Sequence, residues 1–292
     1  LAYLEKRKFE NRMIRRVMGY LVYRDDVTSK ASRQLEDEGY TIIRGALSQR
    51  EIAKLAESIS DVYNRYPPDG RGPFPKQWEY FRYEMLNRSA VCQRVAAHRS
   101  ILDVIEPLLG EDCHVIANTA WRNPPTNGES HDGVGWHIDA GPHIPLDKDM
   151  EWPAEIPHPV FAIGVHIYLK DCRLEDGPTG VIPGSHVSGA IPPRDEVLND
   201  SMNWKGNEEV ALVAQAGDIG FFVSDIWHRR MPTQADDQGR FFLQIHYGRR
   251  DIAQRLRTTD STHQLTPESL TRATTERDRT VAGLHPRLFY DG

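Results

Sequence analysis

The stretch PVFAIGVHIYL, residues 159–169, indicates a β fold because its side chains divide into two alternating sets. Successive side chains of a β-strand point to opposite faces of the sheet. One face then carries Phe161, Ile163, Val165, Ile167 and Leu169. The other face carries Ala162, Gly164, His166 and Tyr168. The first face predicts contact with an apolar core. The second predicts a cavity wall on which His166 is a polar contact, unless it is a solvated strand histidine.

Four more segments between Cys113 and Arg249 are rich in β-branched and aromatic residues and predict strands. They are HVIANTAW (114–121), EEVALVAQ (208–215), DIGFFVS (218–224) and RFFLQIHYG (240–248). The intervening PPTNG, EDGPTG and ADDQG are typical turn sequences. Many short strands joined by such turns indicate a sandwich or a barrel.

Helices are predicted on both sides of the strands, so the fold class is mainly β with flanking helices (α+β). Ser48 and Glu51 have capping-box spacing ahead of an apolar stripe of helical period, and Ser100 and Asp103 repeat this pattern. Thr266 predicts the N-cap of a short polar helix near the end. The sequence has no internal repeat and no linker. We therefore interpret residues 1–292 as a single domain, with a helical extension over 1–33 and a helical tail over 251–292.

Composition restricts the partners. The formal net charge of −6 argues against recognition of nucleic acid or an anionic membrane through bulk charge. The three cysteines form no CxxC pair, which argues against a disulfide framework and a thiolate zinc site. No apolar run approaches the roughly 18 residues of a membrane span. We expect a cytoplasmic protein whose partner is a small molecule, with no nucleic acid and no membrane partner; the oligomeric state is not predicted.

The segment GVGWHIDAGPH, residues 133–143, contains the first candidate metal ligands. On a strand His137 and Asp139 project to the same face, so an imidazole and a carboxylate can converge on one ion. The alternative is a hydrogen-bonded pair in a turn. A third ligand has to come from one of the eight downstream histidines, which are His143, His158, His166, His186, His228, His246, His263 and His285.

His228 is the candidate third ligand because it follows the predicted strand DIGFFVS in SDIWHRRMP. Two histidines and one carboxylate form the facial triad of non-haem iron(II) oxygenases. Arg240 comes twelve residues later, and a hairpin across ADDQG would place it on the strand next to His228. A guanidinium there can bind the far carboxylate of a dicarboxylic cosubstrate. The alternatives are a core histidine beside Trp227 and an ion pair of Arg240 with Asp236 or Asp237.

Four segments in this order resemble the phytanoyl-CoA dioxygenase (PhyH-like) family of Fe(II)- and 2-oxoglutarate-dependent oxygenases. They are EDEGYTIIRGALSQREI (36–52), GWHIDAG (135–141), DGPTGVIPGSHVSG (176–189) and WHRRMPTQADDQGRFFLQIHYGRR (227–250). The resemblance covers about residues 34–250, the family core. It implies a double-stranded β-helix (jelly roll, cupin-like) in which His137, Asp139 and His228 hold iron. It also implies that Arg240 holds the C5 carboxylate of 2-oxoglutarate.

The resemblance implies a dioxygenase that uses Fe(II), 2-oxoglutarate and O2 to oxidise an unactivated C–H bond of a small molecule, with release of succinate and CO2. Hydroxylation is the expected outcome. Two other classes stay open, namely a non-oxidative jelly-roll metalloenzyme with lyase or isomerase activity and a non-catalytic small-molecule binder. Arg240 argues against the first of these, and the intact triad argues against the second.

The sequence departs from the family pattern at two positions. Ile138 stands where members often carry Gln, which puts one contact near the cosubstrate or substrate in doubt. Arg230 stands where a small hydroxyl residue often helps the arginine hold the cosubstrate. Asp139 is no departure, although related halogenases replace this carboxylate with a small residue to admit chloride. Its presence predicts oxygen chemistry.

Several further residues have two interpretations. His186 in PGSH has the side chain of a ligand, but the family gives this turn a structural role. Asn118, on the strand before the metal motif, is a candidate contact to 2-oxoglutarate, as is His166. The proline-rich stretch of residues 141–159 is either a lid over the cavity or a surface insertion.

Overall fold

The computed structural model describes residues 29–68, 79–126, 133–139, 141–147, 150–253 and 265–285. Most of the predicted helical extension over residues 1–33 lies outside these ranges. Within them, no helix combines the length and the apolar character needed to cross a membrane.

Nine strands and seven α-helices make up the described chain. The strands are β1 (Tyr40–Ile43), β2 (Phe81–Tyr83), β3 (His114–Asn123), β4 (Ala162–Tyr168), β5 (Thr179–Val181), β6 (Val210–Ala211), β7 (Ile219–Val223), β8 (His228–Arg230) and β9 (Arg240–Gly248). The helices are α1 (Lys30–Glu38), α2 (Gln49–Arg65), α3 (Met85–Arg88), α4 (Ala90–Val95), α5 (Arg99–Leu109), α6 (Pro267–Arg272) and α7 (Glu276–Val281). Of the predicted strand EEVALVAQ, only the two residues of β6 are a strand.

The strands form two antiparallel sheets. The larger sheet has the order β1-β7-β4-β9-β3-β2, and the smaller has the order β6-β5-β8. Strands that are distant in the chain are therefore neighbours: β4 lies between β7 and β9. This is the double-stranded β-helix that the sequence predicted, with helices on one side.

The outer face of the larger sheet carries the apolar core. Side chains of β4, β7 and β9 on this face pack against helices α1 to α5 in one cluster, and all of them are fully buried. The strand residues are Ile163, Val165, Ile167, Ile219, Phe221, Val223, Leu243, Ile245 and Tyr247. Each such side chain contributes roughly 1.5–3 kcal/mol through removal of its apolar surface from water. The other face points toward the smaller sheet.

The helix ends show how local sequence places the elements. At the start of α2, the Ser48 side chain accepts from the backbone N–H of Glu51 and the Glu51 carboxylate accepts from that of Ser48, which is the predicted capping box. α5 starts earlier than predicted: its N-cap is His98, whose ring accepts from the N–H of Ser100, so Ser100 already lies inside the helix.

Candidate metal centre

Residues 133–139 lie beside β8, and they place the HxD motif next to His228, the first residue of β8. The backbones of His137 and His228 each donate to the other's carbonyl at 2.9 Å. The next bond runs from Val134 to the carbonyl of Arg230, so one extra residue lies on the HxD side and the register slips, as in a β-bulge. The segment is therefore a single bridge and not the regular strand that the sequence predicted. His137 and His228 still lie side by side, with their ring centroids 4.3 Å apart.

Backbone carbonyls fix the orientation of both imidazoles. Nδ1 of His137 lies 2.8 Å from the carbonyl of Gly135, and Nδ1 of His228 lies 2.9 Å from that of Ile226. Because a carbonyl only accepts, each Nδ1 carries the proton and each Nε2 keeps its lone pair when the ring is neutral. This is the usual outer hydrogen bond of a metal-binding histidine.

One ligand atom from each of His137, Asp139 and His228 lies within 4.8 Å of the other two. Oδ1 of Asp139 is 3.5 Å from Nε2 of His228. Burial raises the pKa of Asp139, but the nearby His228 and His246 outweigh it and hold this pKa well below its usual range. Burial, followed by His228, lowers the pKa of His137. Burial lowers the pKa of His228, but the Asp139 carboxylate outweighs it and raises this pKa. A metal ion needs the carboxylate ionised and both imidazoles neutral, so its binding would displace any proton that His228 carries on Nε2.

His246 also approaches this carboxylate, but a hydrogen-bond chain from Trp121 occupies its ring nitrogen. Nε2 of His246 lies 3.6 Å from Oδ2 of Asp139. Nε1 of Trp121 donates to Oε1 of Gln244 at 2.8 Å, and Nε2 of Gln244 lies 2.7 Å from Nε2 of His246. An indole can only donate, so the Gln244 atom beside His246 is the NH2 group and His246 accepts. Its lone pair is thereby taken, and its ring proton lies on Nδ1.

His166 lies on β4 between the triad and Arg240. It is 5 % exposed, and neither ring nitrogen has a hydrogen-bond partner. Phe222 and Phe242 enclose it, with ring centroids 5.1 and 4.6 Å from its own. Burial is the main cause that lowers the pKa of His166 well below its usual value, so the ring is neutral. A neutral, buried and unsatisfied imidazole favours a polar ligand.

Arg240 starts β9 and projects into the same space. Its guanidinium donates to Oδ1 of Asn123 at 3.2 Å and lies 5.4 Å from the ring centroid of Phe242, while its Nε is buried without a partner. The preceding Gly239 has φ 77°, and a Cβ there would lie 2.3 Å from the carbonyl of Asn123. Only glycine therefore fits the turn that directs Arg240 inward.

Arg240 does not form the ion pair with Asp236 or Asp237 that was its alternative interpretation. Asp236 pairs with Arg173 at 3.2 Å, and Asp237 accepts the backbone N–H of Gly239 at 2.6 Å. The predicted hairpin is also wrong: β8 belongs to the smaller sheet and β9 to the larger. Arg240 faces the triad from the opposite sheet because both strands direct these side chains into the space between the sheets.

Residues 35–236 match the phytanoyl-CoA dioxygenase (PhyH) family. The chain belongs to this family. It is also 20 % identical over 229 residues to the uncharacterized protein YJR154W of Saccharomyces cerevisiae, covering 73 % of this chain and 63 % of that protein. It therefore spans less than two thirds of the length of this relative.

Solved structures of similar fold include two complexes with bound ligands. EctD from S. alaskensis, with 2-oxoglutarate and 5-hydroxyectoine, superposes with a TM-score of 0.60 at 19 % identity, covering 86 % of each chain. The epimerase SnoN in complex with Fe3+, alpha ketoglutarate and nogalamycin RO has a TM-score of 0.60 at 16 % identity, covering 80 % of this chain and 92 % of SnoN. At these identities the likeness shows the fold.

Ile138, the first departure of this PhyH-family chain, has a packing role. It lies between the two ligands of the HxD motif and faces away from them, as alternation requires. There it packs against an apolar cluster, which consists of Trp136, Ile182, Met202 and Trp227. An apolar residue suits that environment, because Ile138 is partly buried against this cluster.

Asn118 corrects one expectation. The register places it opposite Ile245, on the outer face of the larger sheet, and its Oδ1 accepts the backbone N–H of Leu86 at 3.0 Å. The structure does not bring Asn118 to the metal site. Its neighbours Thr119 and Ala117 occupy the inner face, opposite Gln244 and His246.

His186 lies apart from the triad. Its Nε2 is 2.9 Å from the carbonyl of Glu36 in α1, to which it donates. Burial lowers the pKa of His186 to about 4, so the ring is neutral. The PGSH turn is therefore held against α1, which is a structural role.

Two polar residues of the inner face, Gln244 and His246, were not identified from the sequence. The signal was present: in RFFLQIHYG the period of two places Arg240, Phe242, Gln244 and His246 on one face. The structure confirms this alternation, because the residues between them belong to the core cluster. His246 was one of eight open histidines, and only its strand position distinguishes it.

The proline-rich stretch after the metal motif is anchored beside the site. The backbone N–H of His143 donates to Oδ1 of Asp225 at 2.7 Å, and Nδ1 of His143 lies 2.7 Å from Oδ2 of the same residue. Asp225 comes three residues before His228. Leu146 donates its N–H to the carbonyl of Gly189 at 3.2 Å. The stretch is thus tied to the turn that carries a triad residue.

Proposed function

We propose that this protein is an iron(II)- and 2-oxoglutarate-dependent dioxygenase that hydroxylates an unactivated C–H bond of a small molecule. The observation that carries the proposal is the convergence of His137, Asp139 and His228, with both imidazoles held at Nδ1 and their Nε2 atoms available. A triad of this composition leaves coordination positions open on one side. The open side of such an ion is where a cosubstrate and oxygen bind.

The donor set fits iron(II). Two neutral imidazoles and one carboxylate are typical ligands of non-haem iron. When bound, iron with 2-oxoglutarate and O2 supplies the oxidation of a C–H bond with release of succinate and CO2. The chain's own contribution is geometric: the carbonyls of Gly135 and Ile226 keep both Nε2 atoms aimed at one point.

Arg240 and His166 are the proposed cosubstrate residues. Arg240 presents a buried guanidinium with an unpaired Nε, which suits the C5 carboxylate. His166 lies between that cation and the triad and has two unpaired ring nitrogens, one of which can donate to the bound dicarboxylate. Phe222 and Phe242 exclude water around it.

Asp139 supports oxygen chemistry as the outcome. Its carboxylate occupies the third protein position at the ion, so no place is left for a chloride in that position. The wild-type enzyme is expected to show no chloride requirement and to give no chlorinated product. Turnover that depends on chloride would contradict the assignment of three protein ligands to the ion.

Succinate formation tests the class of enzyme. Protein loaded with iron(II) and incubated with 2-oxoglutarate and O2 should release succinate. A non-oxidative metalloenzyme would bind the metal but produce no succinate. A non-catalytic binder would also produce no succinate and would not need the metal. Absence of succinate in iron-loaded protein, with substrate candidates present, would overturn the proposal.

Arg240→Ala tests the cosubstrate site. Removing one partner of a buried charge pair costs about 2–5 kcal/mol, so the apparent KM for 2-oxoglutarate should rise roughly tenfold or more. Arg240→Lys should recover part of this loss, because it restores the charge without the planar fork. Iron affinity should be nearly unchanged in both variants. If the 2-oxoglutarate KM were unchanged and only substrate binding became weaker, Arg240 would not belong to the cosubstrate site.

A further inference from the structure

A single peptide group orients the imidazole of His228. The carbonyl of Ile226 lies 2.9 Å from Nδ1 of this ring and accepts its proton. That carbonyl belongs to the peptide group whose N–H is the backbone N–H of Trp227. Because the atoms of a peptide group lie in one plane, the direction of the N–H determines the direction of the carbonyl. Whatever holds the N–H of Trp227 therefore also holds the ring of His228.

Ser185 of the PGSH turn holds this N–H. Its Oγ accepts the backbone N–H of Trp227 at 2.8 Å and donates its own proton to the carbonyl of Ile182 at 2.7 Å. Ser185 is fully buried, and its hydroxyl uses both its proton and a lone pair in these two hydrogen bonds. The orientation of the hydroxyl is therefore fixed, and with it the position of the N–H that it accepts.

The turn that carries Ser185 is anchored on both sides. The backbone N–H of Gly184 donates to the carbonyl of Glu38, the last residue of α1, at 2.9 Å. The backbone N–H of Ile182 donates to the carbonyl of Trp227 at 3.0 Å. A continuous run of hydrogen bonds thus leads from α1 through the turn to the imidazole of the metal ligand.

His137 has the same kind of peptide group, but the group is held differently. The carbonyl of Gly135 lies 2.8 Å from Nδ1 of His137. The N–H of the same peptide group, that of Trp136, donates to the backbone carbonyl of Val197 at 2.8 Å. This second hydrogen bond joins two backbone groups, whereas the corresponding bond at His228 depends on a side-chain hydroxyl. A substitution can therefore disturb one imidazole and leave the other as it is.

We propose that Ser185 is a positioning residue of the metal centre, which keeps Nε2 of His228 directed at the ion through the intervening peptide group. This inference rests on the proposed function, since it takes His228 as a metal ligand. Loss of the hydroxyl leaves the buried N–H of Trp227 without its acceptor, so the peptide group is no longer held and its carbonyl no longer fixes the ring. A less well oriented imidazole binds the same ion more weakly. The PGSH turn then serves the metal site in addition to its packing against α1.

Ser185→Ala is tested against Ser32→Ala as the matched control. Ser32 is also fully buried, and its hydroxyl also donates to a backbone carbonyl, that of Val104, at 2.9 Å. Both variants should lower the free energy of unfolding of the metal-free protein. The Kd for iron(II) is measured on the full chain without oxygen by competition with a chelator, and only Ser185→Ala should raise it. We expect an increase of about fivefold to tenfold, because outer partners of metal ligands change metal affinity roughly 10–100-fold and this hydroxyl is one bond further from the ion.

A second measurement reports the orientation of each ring separately. In zinc-loaded protein, NMR follows the exchange of the two Nδ1–H protons with water, zinc being a diamagnetic ion that imidazoles also bind. Ser185→Ala should speed this exchange severalfold at His228 and leave it unchanged at His137, whose peptide group is held by the carbonyl of Val197. A purely structural role of Ser185 would not distinguish the two histidines.

The other outcomes count against the inference or against the proposed function. An iron(II) Kd in Ser185→Ala equal to that of the wild type, or an equal increase in Ser32→Ala, would overturn the inference, as would faster exchange at both histidines. If Ser185→Ala does not fold, Ser185→Cys fills the same space with a weak acceptor and should give a smaller rise in the Kd with the same selective effect on His228. A wild-type Kd in that variant would contradict the inference. A wild-type protein that binds neither iron(II) nor zinc would overturn the proposed function itself.

Discussion

The two faces of the larger sheet use the same strands for opposite purposes. On β9 the outer face carries Leu243 and Ile245, both fully buried among apolar side chains. The inner face carries Arg240 and His246, and on the adjacent β4 it carries His166. Three buried nitrogen atoms of Arg240 and His166 have no hydrogen-bond partner. On these two strands the outer side chains are satisfied by apolar packing, whereas the inner side chains leave polar atoms that a ligand can satisfy.

This difference assigns stability and function to different faces. A buried unsatisfied polar group costs about 1–3 kcal/mol, and more when it is charged. The inner face therefore lowers the stability of the protein without ligand, and the apolar outer face offsets it. Mutations on the two faces should differ in kind: those outside should change unfolding, and those inside should change binding.

The largest effect is expected at the metal ligands on the inner side. His228→Ala, His137→Ala and Asp139→Ala should each abolish iron binding and turnover, because two remaining ligands hold an iron(II) ion too weakly. Iron content by elemental analysis and succinate formation are the two measurements. His186→Gln is the control, since this histidine bonds to α1 and not to the ion. Full activity in His228→Ala, with loss in His186→Gln, would overturn the ligand assignment.

Two substitutions on β9, one on each face, should change the stability of the ligand-free protein in opposite directions. Ile245→Ala removes a fully buried outer side chain and should lower the free energy of unfolding by about 2–5 kcal/mol. Arg240→Met removes a buried guanidinium that lacks an ion-pair partner among the described residues, and should raise the stability of the ligand-free protein by about 1–3 kcal/mol.

Denaturant unfolding with and without 2-oxoglutarate measures both members of the pair. Ile245→Ala should retain the stabilisation that iron and 2-oxoglutarate confer, because binding acts by mass action on the folded state. Arg240→Met should lose most of the stabilisation that 2-oxoglutarate confers. If Arg240→Met destabilised the ligand-free protein as much as Ile245→Ala, the arginine would be structural and the two faces would not differ as described.

The sequence predicted what depends on local periodicity. The alternation in residues 159–169 assigned both faces of β4, and the HxD motif with His228 predicted the three side chains that converge. It could not supply contacts made across sheets. The predicted hairpin failed because β8 and β9 diverge into different sheets, which depends on pairing partners distant in the chain. Asn118 was misplaced because its face is determined by the register with β9.

The smallest expected effect concerns the ring proton of His246. Because Trp121 can only donate to Gln244, Gln244 in turn donates to His246, and the neutral ring should carry its proton on Nδ1. Nitrogen-15 NMR of the metal-free protein distinguishes the two tautomers. Trp121→Phe removes the donor that fixes the amide, so Gln244 can rotate and accept from Nε2, and the Nε2–H form should appear. The hydrogen bond that is lost costs only about 1 kcal/mol, so the fold should persist. If the Nε2–H tautomer were already dominant in the wild type, His246 could donate to Asp139. The hydrogen bond from Gln244 would then not explain why His246 is not a metal ligand.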